Sequence, residues 1–340
     1  MSSASPAPSP SPARATDRAR GALYGLAIGD ALGMPTQLLS RPEIIRRWGW
    51  QLSGFEPGPP DHPIAAGRPA GTVTDDTEQA VLLARLLLAG PVDPGELAAA
   101  LVAWELDMAA RGSLDLLGPS TRRAIDAVLA GTPPEEAGAS GDTNGAAMRI
   151  TPVGVLTPPD DLTALVDAVH AVSLVTHNTS IALAGAAAVA AAVSAGIAGA
   201  STAEATEVAV EAARLGAQRG HWVAGANVAD RILWATDIVA DMPPQDASGA
   251  IYHLVGTIIV TQESVPAAFD VLSALPDDPW RACLMAASLG GDCDTIAAIA
   301  GAIAGACHGR AAFPPSAVDV IDAQGLALAD LADSLLARRS

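Results

Sequence analysis

No lysine occurs anywhere in the 340 residues, so all 19 basic side chains are arginine. That absence excludes a P-loop lysine, a Schiff-base lysine and a lysine general base. Aromatic residues amount to 3%, which leaves Ala, Gly, Leu and Val to carry an apolar share of 50%. Positive charge is also scarce. Asp and Glu number 37 against those 19 arginines, a net charge of −18, and the isoelectric point is near 4.5. So acidic a surface repels phosphate backbones, and no nucleic-acid partner is expected. An anionic substrate would need local compensation from helix N-termini, a few arginines or a divalent metal. The three cysteines, Cys283, Cys293 and Cys307, lie late in the chain without CxxC spacing. They read as reduced thiols of a cytoplasmic protein.

Residues 1–17, rich in Ser, Pro and Ala, carry no apolar signal-peptide core and read as a disordered tail before a domain spanning 18–340. Residues 180–200, SIALAGAAAVAAAVSAGIAGA, have the length of a membrane span. They lack a basic flank and an aromatic belt, so a buried helix is expected and no membrane partner. Apolar residues run or recur at three and four over 82–89, 97–108, 162–175, 180–193 and 203–217, the helical period. Strand signals are few, and the Pro/Gly breakers are only loop-length. The expectation is one all-α domain of about a dozen helices.

Four stretches depart from this texture. In 21–37, GALYGLAIGDALGMPTQ, Asp30 sits on an apolar helix and reads as a buried carboxylate bonded to a neighbouring helix end. In 71–88, Thr74, Asp75, Asp76, Thr77 and Glu78 precede an apolar helix. Capping explains one acid there, but two Asp flanked by two Thr also suit a hard cation. In 141–154, Asn144 and Gly145 lie among small residues that would let a ligand approach the backbone; Arg149 reads as a phosphate counter-charge or a partner for surface acids. In 288–309, Gly290–Gly291 lead into Asp292, Asp294 and Thr295 at the start of a small-residue helix. Were the two Asp pairs to converge, four carboxylates would repel one another unless cations lay between them. Oxygen-only donors favour Mg²⁺ or Mn²⁺ over Zn²⁺. His177, and Asp115 before Gly118–Pro119, read first as core and cap residues, with a pocket contact as the rival role.

Together these pieces resemble the ADP-ribosylglycohydrolase (dinitrogenase-reductase-activating glycohydrolase) family. GLAIGDALGMP, TDDTEQA, TNGAAMR, THNTS and GGDCDTIAAIAGAIAGA occur in the family's order across residues 25–306. The resemblance implies an all-α fold around two Mg²⁺ or Mn²⁺ ions held by Thr74, Asp75, Asp76, Asp292, Asp294 and Thr295. Asp75 and Asp76 would also serve catalysis. Thr143, Asn144, Gly145 and His177 fall where the family binds ADP-ribose. The implied reaction is hydrolysis of an N- or O-glycosidic bond at C1 of the distal ribose in an ADP-ribosylated protein or small molecule. One position departs: where many members carry Glu, this chain has Gln37, which cannot take a proton, and Asp115 is the candidate substitute. Two further readings stand beside this one, a ribosyl hydrolase of simple nucleosides and a non-catalytic ADP-ribose-binding protein. An Asp-rich prenyl synthase is disfavoured, since no third Asp follows Asp76 at the needed spacing and aromatics are few.

Overall fold

The computed structural model describes residues 11–114 and 117–339, and the expectation for Asp115 falls outside them. The described residues form eighteen α-helices and no strand. In chain order the first are α1 (Pro12–Gly33), α2 (Arg41–Trp48), α3 (Asp75–Ala89), α4 (Pro94–Ala110), α5 (Pro119–Leu129) and α6 (Pro134–Ala137). Then follow α7 (Gly145–Arg149), α8 (Thr151–Leu156), α9 (Leu162–His177), α10 (Ser180–Ala198), α11 (Thr202–Gly216) and α12 (Val228–Val239). The last are α13 (Pro244–Ala250), α14 (Thr261–Ala274), α15 (Pro279–Ala286), α16 (Cys293–His308), α17 (Pro315–Asp322) and α18 (Leu328–Leu336). A π-helical turn, Ile251–Val255, and a 3₁₀ turn, Arg310–Ala312, complete the set.

The all-α expectation holds, but the count exceeds the dozen because α6, α7, α8 and α13 are only four to seven residues long. Segments that short show no helical period. The first helix also begins at Pro12, within the segment expected to be a tail. Proline at its first position suits a helix start, and Ala and Arg around it are strong helix formers.

Helix α10 is the membrane-length segment, and residues 181–197 are all buried within the fold. It packs against α7, α8, α9, α11, α14 and α16, so its Ala-rich surface is covered on every side by other helices. The most extensive helix pair is α1 with α16. Their glycines bring backbone against backbone: a Cβ on Gly25 would stand 2.0 Å from the Gly301 carbonyl oxygen, and one on Gly29 1.9 Å from that of Ala297. This contact sets the C-terminal end of α1, with Asp30, beside the N-terminal end of α16. The N-terminus of α3 meets them there.

Candidate active site

The site is assembled from three helix ends. At α3 the N-cap residue Thr74 makes no side-chain cap bond. Asp30 of α1 takes that role instead. Its carboxylate, fully buried, accepts from Thr74 N at 2.9 and 3.0 Å, from Thr77 N at 3.1 Å, and from the Thr77 hydroxyl. The reading of Asp30 as a buried acid bonded to a neighbouring helix end is therefore correct. Burial still lifts its pKa to about 6, against the lowering effect of those hydrogen bonds.

Relieved of capping, the Thr74 and Asp76 side chains face each other and α16. Thr74 Oγ1 lies 3.4 Å from Asp76 Oδ2, and Thr295 Oγ1 lies 3.3 Å from the same oxygen. Asp76 Oδ1 is buried with no hydrogen-bond partner among the described residues. Burial, then the charges of Asp75, Asp30 and Asp292, pushes the Asp76 carboxyl well above the ordinary range. Asp75, more open, accepts from Gln79 Nε2 at 3.0 Å, one helical turn on.

At α16 the N-cap Asp292 likewise makes no side-chain cap bond. Gly290 and Gly291, both in the left-handed region at φ 93° and 73°, bend the chain so that Asp292 N reaches the Thr257 carbonyl at 2.7 Å. A Cβ on Gly291 would meet that carbonyl oxygen at 2.3 Å, so only glycine fits. Asp292 Oδ2 accepts from Asn144 Nδ2 at 2.5 Å. Removal from water raises its pKa to about 6, while Asn144 and Thr295 pull it down. Cys293 turns away, its Sγ 3.3 Å from Thr36 Oγ1.

These groups surround a cleft of about 120 Å³ lined by Gln37, Asp75, Asn144, Asp292, Asp294 and Thr295, with Thr143 and Gly145 beside them. Small-ligand sites usually enclose roughly 300–1,000 Å³, so this cleft holds one portion of a ligand and leaves the rest at its mouth. A larger groove of about 570 Å³ opens between α3 and α4. It contains none of the paired acids, and its Glu78 is already engaged by Trp104 Nε1 at 2.7 Å and by Arg111.

One expectation needs correction, and His177 takes the core role expected first of it. Arg149 is neither a phosphate counter-charge at the cleft nor a partner for a surface acid. It is 1% exposed and donates to Gln79 Oε1 at 3.0 Å and Thr176 Oγ1 at 2.5 Å. Gly145 lines the cleft, and a Cβ on it would also stand 2.8 Å from His177 Cε1. His177 is fully buried, and burial with the charges of Arg149 and Arg123 holds its pKa well below the usual value. Its Nε2 pairs with Thr143 Oγ1 at 3.1 Å and its Nδ1 with Thr176 Oγ1 at 2.8 Å. It supports the cleft wall and does not line it. Sequence reasoning missed Gln79 and Thr176. The spacing of Asp75 and Gln79 by one turn was a usable signal for the former.

The sequence profile of the ADP-ribosylglycohydrolase family matches residues 11–340. The chain belongs to that family. It is 38% identical over 311 residues to the uncharacterised protein YegU of Escherichia coli (strain K12), covering 91% of this chain and 92% of that one. It is 28% identical to the ADP-ribosyl-[dinitrogen reductase] glycohydrolase of Rhodospirillum rubrum, covering 90% of each. A solved ADP-ribosylglycohydrolase-related protein complex shares its fold at 23% identity with a TM-score of 0.67, covering 96% of this chain and all of that one. As a member of the family, the chain is a glycosidic-bond hydrolase of the class that acts on ADP-ribosylated substrates.

Proposed function

We propose that this ADP-ribosylglycohydrolase is divalent-metal-dependent and cleaves the N- or O-glycosidic bond at C1 of the distal ribose in an ADP-ribosylated protein or small molecule. The observation that carries the proposal is that neither N-cap side chain, Thr74 at α3 or Asp292 at α16, is spent on capping its helix. The α3 amides are served by Asp30, and Asp292 makes no cap bond at α16. Among the described residues, no three Asp, Glu, His or Cys side chains stand as a ready-gathered metal cluster. The donor set nevertheless fits a hard cation, because carboxylate and hydroxyl oxygens from two helix ends converge on Asp76, whose Oδ1 is buried and unbonded.

Thr74, Asp75, Asp76, Asp292, Asp294 and Thr295 would hold two Mg²⁺ or Mn²⁺ ions. When bound, such ions supply a template for the ribose hydroxyls and a lowered pKa for water. The rest falls to the chain's own residues. Gln79 holds an Asp75 oxygen in place, which fixes the carboxylate that would orient the attacking water. Asn144 fixes Asp292 while its side chain is itself held by the Ser264 hydroxyl at 3.0 Å. Gln37 lines the cleft with its Nε2 unbonded, so it can donate a hydrogen bond to a sugar oxygen but cannot accept the proton that water loses. Three free, buried cysteines support a cytoplasmic setting.

Calorimetric titration of ADP-ribose into the protein, first with Mg²⁺ and then with chelator, tests the reading. Binding that needs the metal is the expected result. No binding in either condition by folded protein would overturn it in favour of the nucleoside reading. That alternative is favoured by the small cleft and the net charge of −18.

A further inference from the structure

A continuous line of buried hydrogen bonds runs behind the cleft from one wall to the other. It passes from Asp75 through Gln79, Arg149, Thr176 and His177 to Thr143. Gln79, Arg149, Thr176 and His177 are all within 1% of full burial, and only the two ends of the line, Asp75 and Thr143, reach the cleft surface. Along such a line the proton positions are not independent, because each hydroxyl carries one hydrogen and each neutral imidazole one N–H.

We infer that Arg149 sets the direction of this line, so that the Thr143 hydroxyl is an obligate donor into the cleft and the site selects a ligand with an acceptor oxygen at that point. A guanidinium can only donate. Thr176 Oγ1 therefore accepts from Arg149, and its single hydrogen must go elsewhere. Among the described residues its other hydrogen-bond partner is His177 Nδ1 at 2.8 Å. If Nδ1 also carried a hydrogen, the buried Thr176 proton would have no acceptor, a costly arrangement. Thr176 thus donates to Nδ1, and His177 bears its hydrogen on Nε2. That N–H points at Thr143 Oγ1, 3.1 Å away. Thr143, having accepted from the imidazole, is left with its own hydrogen facing the cleft. Burial, with the positive charges of Arg149 and Arg123, also disfavours a second proton on the ring.

The opposite end follows the same logic. Arg149 donates to Gln79 Oε1, which turns the amide so that Nε2 faces Asp75. One guanidinium thereby presents a donor to a wall carboxylate on one side and a donor to the ligand on the other. Thr143 becomes a specificity-determining residue, and Arg149, Thr176 and His177 are positioning residues that act through it. The inference about ligand choice rests on the cleft being the ADP-ribose site, whereas the tautomer does not.

Long-range proton–nitrogen NMR of the ¹⁵N-histidine-labelled protein without ligand reads the ring directly, with the His177 signal assigned by its loss in His177→Gln. The expected result is a neutral ring with hydrogen on Nε2. A ring with hydrogen on Nδ1, or on both nitrogens, overturns the proposal. In Thr176→Val, which keeps the side-chain shape, His177 should no longer be held in that single form, and an unchanged spectrum counts against the relay. For the ligand, Thr143→Val should weaken ADP-ribose binding about tenfold, the worth of one hydrogen bond to a charged acceptor. Thr143→Ser should restore it. Equal affinity in Thr143→Val and the unaltered protein overturns the donor role. Failure of the unaltered protein to bind ADP-ribose strikes the functional reading instead, and the ring measurement still decides the direction of the line.

Discussion

Asp30 and Gln37 show how single side chains divide the labour at this site. An acid in the middle of an apolar helix is expensive to bury unless amides meet it, and here two amides and a hydroxyl do. That exchange releases Thr74 and Asp76 for other work, and it was legible as an anomaly: one Asp among Leu, Ile, Ala and Gly. Arg149 was not legible in the same way. Its partners Gln79 and Thr176 come from helices α3 and α9, and nothing local to TNGAAMR announces them. Gln37 marks the chemical limit of the cleft. A carboxylate in its place would be able to take the water proton. Gln37→Glu should therefore raise the turnover of an ADP-ribosylated arginine or serine peptide at least tenfold, since general-base assistance is worth roughly 10²–10⁴. Initial rates of ADP-ribose release with saturating Mn²⁺ measure this. An unchanged rate would mean that proton transfer is already served by another group.

At the level of elements, the pairing of α1 with α16 decides where Asp294 and Thr295 stand. The small-residue helix after Gly290–Gly291 appears where the sequence placed it, whereas α1 begins at Pro12, ahead of the domain start expected at residue 18. What the pattern could not show was which helices face each other, because an Ala-rich surface has no preferred side. The four shortest helices were equally hidden, since fewer than two turns carry no period. The consequence of backbone contact is intolerance to a single methyl. Gly29→Ala would place a carbon 1.9 Å from the Ala297 oxygen, an atom that cannot rotate away. A destabilisation of about 1–3 kcal/mol is expected, read as a lowered urea midpoint. Gly33→Ala would press on the Asp294 backbone at 2.2 Å, so Mn²⁺ affinity should fall along with stability. Gly54→Ala, with open space around it, is the control and should change neither. Tolerance of alanine at position 29 would show that the two helices can part without loss.

For the molecule as a whole, charge is the governing imbalance: 37 acids against 19 arginines. Such a chain repels itself when folded, and the repulsion weakens as carboxylates take up protons. Asp270 on α14 belongs to this account. It is fully buried, neither of its oxygens has a hydrogen-bond partner among the described residues, and burial raises its pKa well above the ordinary value, with Arg231 acting in the other direction. The sign follows from proton counting. A folded group with a raised pKa binds more protons than its unfolded counterpart once the pH passes the unfolded value, so stability falls as pH rises from there until the folded group ionises. Exposed or nearly exposed acids held low by partners, such as Asp333 by Arg20 and Asp61 by Arg47, work oppositely and lose their contribution as pH drops through their folded values. Stability should therefore peak on the acid side of neutrality. Asp270→Asn isolates the buried group, because the amide keeps the shape and is neutral at every pH. The variant should melt higher than the unaltered protein at pH 7, and the gap should close toward pH of about 4, where an unfolded Asp is itself half protonated. A constant gap between those pH values would mean that Asp270 does not change its proton occupancy on folding.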